Sequence, residues 1–159
     1  MSRYRLISFK TCPWVQRAAI VLREKRVEFE FVHIEPGNRP DWFKAISPHN
    51  KVPVLQIDET VALFESNAIL YYFAEGTKYW PAGKRERAAA LQWMFFEQYS
   101  HEPYIAVVRH WVAHLGKTPQ NEPQLPMRTE RGYHALDVME SRLKDHAWFA
   151  GEAYSIADI

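Results

Sequence analysis

Residues 7–25 read "ISFKTCPWVQRAAIVLREK", and across the only cysteine in the chain a strand-like run gives way to a helix-like one. Residues 4–9, "YRLISF", alternate and are rich in large apolar side chains, which predicts a short strand. From Pro13 onward, Val15, Ala18, Ala19, Val21 and Leu22 fall at helical spacing, with charges gathering at the far end. A strand that feeds a helix through Cys12-Pro13 raises the question of what a lone thiol does at that junction.

Working outward, "FEFVHI" (29–34) and "VPVLQI" (52–57) read as further strands. Between them, "NRPDWFKAISPHN" carries a short helical or irregular segment. Ser47-Pro48 ends it, because the residue before proline is pushed out of the helical region. A turn at Asp58-Glu59, the strand "VALF" (61–64) and the helix "ESNAILYYFAE" (65–75) follow. The order β-α-β-α-β-β-α predicts an α/β unit around one mixed four-stranded sheet over residues 1–76.

Residues 76–86, "GTKYWPAGKRE", hold two glycines and a proline between periodic segments. We therefore place a linker and the start of the first long helix at 77–86. No strand pattern follows. "RERAAALQWMFFEQYSHEPYIAVVRHWVAHLG" and "RTERGYHALDVMESRLKDH" are amphipathic helical stretches joined by the proline-bearing "KTPQNEPQLP", so residues 87–159 are expected to be all-α. Pro103 is expected to kink the first of these after His101 and Glu102. At the end, Ser155-Ile156-Ala157-Asp158 has the form of a capping box, with Tyr154 and Ile159 as a hydrophobic staple. That pattern starts a helix, and it predicts that the helical part continues beyond Ile159 in a longer protein.

Composition narrows the function. Of 159 residues, 47% are hydrophobic and 14% aromatic, enough apolar material for a core. Twenty basic and 19 acidic residues leave a formal charge of +1, with no long run of one sign. That is no footprint for nucleic acid or for an anionic membrane surface. No apolar run approaches the roughly 20 residues needed to span a bilayer, and "MSRYRLISF" lacks a signal-peptide core. A cytoplasmic protein is expected. Val15 stands where the second thiol of a Cys-x-x-Cys pair would lie, so redox chemistry at Cys12 needs a thiol from outside the chain.

Proline is favoured at the first position of a helix, which puts Cys12 at the N-cap. There the unpaired amides and the helix dipole favour a thiolate, and Arg17, one turn on, either adds positive potential or points to solvent. A lone free cysteine is elsewhere a small buried hydrophobe. A strand before it and a proline fixing its register describe a reactive site better. Val52-Pro53 opens a strand with a residue that cannot donate to the ladder. A cis bond there would expose the backbone of Val52, and an ordinary trans proline at a strand start is the alternative. Glu65-Ser66 precedes an apolar helix, where hydroxyl and amides can hold a carboxylate or simply cap the helix. His110 and His114 are spaced i, i+4. With no third ligand evident they read as a solvated face, and no metal is expected.

Together "TCPWVQRAAIVLREK", "NKVPVLQIDETVALFESNAILYYFAE" and "SIADI" resemble the glutathione transferase superfamily over nearly the whole chain. The resemblance implies a thioredoxin-like N-terminal domain that binds glutathione and an all-α domain, here incomplete, that shapes the second-substrate pocket. It places Cys12 beside the glutathione sulfur, Trp14 at the edge of that site and Val52 against the cysteinyl portion. It makes Pro53 a cis-proline, Glu65 and Ser66 the holders of the γ-glutamyl end, and Lys44 a neighbour of the glycyl carboxylate. Phe95, Phe96 and Tyr99 either face the second-substrate cleft or fill core.

A Cys-Pro turn looks like the omega-like and dehydroascorbate-reductase-like branches, in which a protein thiolate exchanges with glutathione disulfides. The resemblance thus implies glutathione as co-substrate, a small apolar or disulfide second substrate, and a homodimer. Conjugation to an electrophile, with Thr11 as a hydroxyl donor, is the second reading. A non-catalytic binding protein of the same fold is the third.

Overall fold

In the computed structural model, which describes residues 3–10, 12–58 and 60–159, β1 (Tyr4–Ser8) leads into α1 (Pro13–Glu24). β2 (Glu30–His33), α2 (Asp41–Ile46), β3 (Val54–Ile57), β4 (Val61–Phe64) and α3 (Ser66–Ala74) follow. The strands form one mixed sheet in the order β2-β1-β3-β4, with β1 parallel to β2 and antiparallel to β3, and β3 antiparallel to β4. Of the expected turn at 58–59, Glu59 lies outside the described residues.

Alternation along β1 sends Leu6 and Ile7 to opposite faces. Ile7 packs with Ile34, Phe43 and Val54, so α2 closes that face through its one buried residue, Phe43. On the other side α1 buries Val15, Ala18, Ala19, Val21 and Leu22, and α3 buries Ile69, Leu70, Phe73 and Ala74; these two helices pack together. β3 starts at Val54, two residues later than its apolar pattern suggests. Pro53 has no amide to donate to a ladder, and pairing begins with Val54 opposite Ile7 and Phe64.

The chain divides into two compact units, Met1–Trp80 with Ile159, and Pro81–Asp158. In the second, α4 (Lys84–Phe96) runs without interruption into a π-helical segment (Glu97–Ala106), α5 (Val107–His110) and a second π-helical turn (Trp111–Leu115). Pro103, where a kink is expected, lies inside this wider helix, and the amide of Val107 donates five residues back, to Glu102. A 3₁₀ turn (Glu122–Gln124) then leads into α6 (Leu125–Leu143), which packs on the π-helical segment. Buried Gly132 permits that approach, since a Cβ there would stand 3.3 Å from the Tyr104 carbonyl oxygen and from Ile105 Cγ1. Arg128 donates to the Pro103 carbonyl at 2.8 Å. Among the described residues, no helix is long and apolar enough to cross a membrane.

The expected capping box forms around a 3₁₀ turn (Ile156–Asp158). Asp158 accepts from the Ser155 amide (2.9 Å) and hydroxyl (3.1 Å), and its other oxygen accepts from the Phe149 amide (2.9 Å). Ser155 Oγ takes the amide of Ala157, one residue earlier than the full box would use. Asp158→Ala strips three donors of their shared acceptor. We expect it to lower stability by about 2–3 kcal/mol, read as a fall in the urea midpoint, with Asp158→Asn losing less.

Candidate functional site

The sheet register brings the interesting segments to one end. Ser8, at the end of β1, is opposite His33, at the end of β2; Val54, at the start of β3, is opposite Phe64, at the end of β4. Ile7 faces Val54 across the β1–β3 pair. The loop carrying Cys12, the segment from Ile34 to α2, the Val52-Pro53 bond and the Glu65-Ser66 helix start therefore leave the sheet on the same edge. Open α/β sheets bind ligands at such an edge.

Cys12 is held there by a tight turn. Its amide donates to the Phe9 carbonyl (3.3 Å), which also accepts the Ser8 hydroxyl (2.7 Å). With extended backbone (φ −78°, ψ 118°) it forms the N-cap of α1, and its carbonyl accepts the first helical bond, from Gln16. The expected N-cap position is observed, and burial at that position opposes the expected ionisation. Cys12 is only 7% exposed, and burial pushes its thiol above the ordinary value, while the amides of Val15 and Trp14 pull it the other way. Arg17 does not point to solvent: its guanidinium donates to the side chain of Asn67, in the first turn of α3, at 2.8 Å. Thr11 lies outside the described residues.

The Val52-Pro53 bond is cis, and both residues precede the ladder of β3. Glu65 is exposed and forms the N-cap of α3 with φ 69° and ψ 117°, a region that a residue with a Cβ occupies at a cost of about 1–3 kcal/mol. Ser66, the first helical residue, is buried. Strain at the residue between β4 and a buried helix start marks a place where geometry is imposed by the surroundings rather than by local preference.

Comparisons with known proteins identify the family. The model for the glutathione S-transferase N-terminal domain matches residues 6–78, and that for the C-terminal domain matches residues 88–159. The chain belongs to the glutathione S-transferase family. It is 34% identical to the disulfide-bond oxidoreductase YfcG of Escherichia coli, over 95% of this chain and 74% of that one. It is 35% identical to glutathione S-transferase F10 of Arabidopsis thaliana, over 91% and 71%. The crystal structure of a glutathione S-transferase from Pseudomonas fluorescens superposes with a TM-score of 0.93 at 37% identity, covering 99% of this chain and 80% of that one. The thioredoxin-like mixed sheet followed by helices is the glutathione S-transferase architecture, and the family is one of enzymes.

The structure gives the surroundings of Lys44 and of the three aromatic residues. Lys44, on α2, pairs with Asp41 at 2.8 Å, and its hydrogen bond and charge hold the Asp41 carboxyl below its usual range. The three aromatic residues of the second unit are not alike: Phe95 and Tyr99 are 61% and 78% exposed, whereas Phe96 is half-buried with its edge against Trp93 at 5.2 Å.

The sequence reading passed over Arg39 and Asn50. Arg39 lies between β2 and α2, with its guanidinium 5.6 Å over the ring of Phe9, whose carbonyl holds Cys12. Its Nε is buried without a hydrogen-bond partner among the described residues. Asn50, two residues before Val52, has φ 55°, a left-handed position that asparagine tolerates, and its side-chain oxygen is likewise buried and unpaired. A lone arginine before a proline-capped helix, and an asparagine in "PHNKVP", were the available signals.

Proposed function

We propose that this chain is a cysteine-type glutathione S-transferase whose reaction is thiol transfer. The observation that carries the reading is Cys12 at the N-cap of α1, on the sheet edge where Val52-Pro53 and Glu65-Ser66 also emerge. Cys12 thiolate attacks the glutathionyl sulfur of a mixed disulfide, forming a Cys12–glutathione disulfide and expelling the substrate thiolate, which takes up a proton. A second glutathione thiolate then attacks the glutathionyl sulfur, regenerating Cys12 and releasing oxidised glutathione. The net change is one disulfide reduced and one formed, and one protein thiol suffices. The name of the Escherichia coli relative, a disulfide-bond oxidoreductase, supports this branch.

In this reading the first unit binds glutathione. The backbone of Val52 beside Pro53 pairs with the cysteinyl portion, Ser66 and Glu65 hold the γ-glutamyl end, and Trp14 borders the site. Lys44 is the assigned partner of the glycyl carboxylate, but Arg39, half-buried with its Nε enclosed and its guanidinium over Phe9 of the Cys12 loop, is the stronger candidate. A charge-assisted hydrogen bond contributes about 1.5–3 kcal/mol, whereas exposed pairs contribute little. Arg39→Ala is therefore expected to raise the KM for glutathione at least about tenfold, and Lys44→Ala less than about threefold. Equal effects would return the role to Lys44.

Phe95, Phe96 and Tyr99 of the second unit are assigned to a small apolar or disulfide second substrate. A homodimer is supported by the apolar side chains that the first unit exposes, Val61, Phe64 and Tyr72 among them.

One observation favours a second reading. Burial pushes the Cys12 thiol above its ordinary value, and a protonated thiol is a hydrogen-bond donor, able to stabilise the thiolate of bound glutathione for conjugation to an electrophile. Treatment with oxidised glutathione separates the two. Thiol transfer requires one glutathionyl adduct per chain by intact mass, together with turnover of a mixed disulfide. Conjugation without an adduct gives the site to the second reading.

A further inference from the structure

We propose that His110 and His114 form an exposed two-histidine chelate for a divalent transition-metal ion. His110 is the last residue of α5 and His114 lies in the π-helical turn that follows, so the two imidazoles share one side of the helix. Both are exposed, and their ring centroids stand 5.9 Å apart at an interplanar angle of 40°. A metal–nitrogen bond of about 2.0–2.1 Å puts an imidazole centroid roughly 3.2 Å from the ion, so two rings on one ion lie roughly 4.5–6.4 Å apart. The observed separation is inside that window.

The surroundings favour a cation. The pair occupies the last turns of the helical run that ends at Leu115, where the unpaired carbonyls form the negative pole of the helix dipole. Lys117, the nearest lysine downstream, has its charge offset by Glu122 at 3.5 Å, while Arg109 leaves one positive charge beside His110. Among the described residues no group of three or more His, Cys, Asp or Glu side chains could hold a metal. The site is therefore a two-point chelate with water in its remaining positions. Nitrogen donors and open coordination put copper(II) first, ahead of nickel(II) and zinc(II).

The test is a calorimetric titration of tag-free protein with copper(II), nickel(II) and zinc(II) chlorides. It is made in a Cys12→Ser background, so that the one thiol cannot take the metal. One equivalent of copper(II) is expected to bind, with two imidazole nitrogens visible in its electron paramagnetic resonance spectrum. His110→Ala and His114→Ala, both at exposed positions, are each expected to weaken binding at least tenfold. Copper affinity unchanged in either single variant, or no copper uptake by the parent, overturns the proposal.

Discussion

Replacing Cys12 with serine is expected to eliminate the glutathionyl adduct and to lower glutathione-dependent disulfide reduction by more than about a thousandfold, the scale on which removing a nucleophile acts. The chain has no second cysteine, so no other thiol can take over. A serine hydroxyl at the same N-cap keeps the hydrogen bonding but does not ionise near neutral pH, and thiolate is the attacking species.

The wild-type rate constant for adduct formation should rise with pH through neutrality, with its midpoint above the ordinary thiol value. Burial disfavours the charged form more than the amides of Val15 and Trp14 favour it. The same shift has a sign for stability. A folded thiol with a raised pKa holds its proton longer than the unfolded one, so its stabilisation is present below the unfolded value and is lost as pH rises through the folded one. A rate that is flat between pH 6 and 8 would mean a preformed thiolate and would reverse that ordering. If Cys12→Ser loses adduct formation yet conjugates an electrophile as well as wild type, Cys12 is not the residue that activates glutathione.

What the sequence made legible follows from what periodicity encodes. The junction at Cys12-Pro13 showed because a change from period two to period 3.6, with proline fixing the first turn, is a local property. The same holds for β4 and for the apolar face of α3, whose limits match their patterns closely. The thiol's burial was not legible. The sequence displays the helix start that favours a thiolate but not the burial, 7% exposure, that opposes it more strongly. Arg39 was invisible for a related reason. Its stacking on Phe9 joins residues 30 positions apart through the β1–β2 pairing, and nothing near Arg39 in the chain announces Phe9. In the helical half, residues 85–116 read as one amphipathic run with a kink at Pro103. The first π-helical segment contains Pro103, which denies an amide to the ladder, and α6 packs against its backbone through Gly132 and Arg128.

Phe43→Ala is expected to lower stability by about 3–5 kcal/mol, the usual range for emptying a phenylalanine site in a core. It should also damage glutathione binding out of proportion to its distance in sequence from Cys12. Helix α2 has six residues, Asp41–Ile46, too few to persist by helix propensity alone. Its only buried side chain is Phe43, 0% exposed and packed with Ile7, Ile34 and Val54. Removing that anchor leaves the amides of Phe43 and Lys44 on the Pro40 carbonyl, and that of Ser47 on Phe43, as bonds that water can replace. Part of the loss should then appear as local opening of residues 39–51, the segment holding Arg39, Lys44 and Asn50 next to Val52-Pro53. Hydrogen exchange would read it directly: amides of 41–47 in Phe43→Ala should exchange much faster than those of α1 and α3, while the KM for glutathione rises. Phe43→Leu, which keeps most of the volume, should recover most of both effects. If the alanine variant is destabilised uniformly, with α2 still protected and KM unchanged, α2 is held by its backbone bonds, and Phe43 is ordinary core with no part in presenting the site.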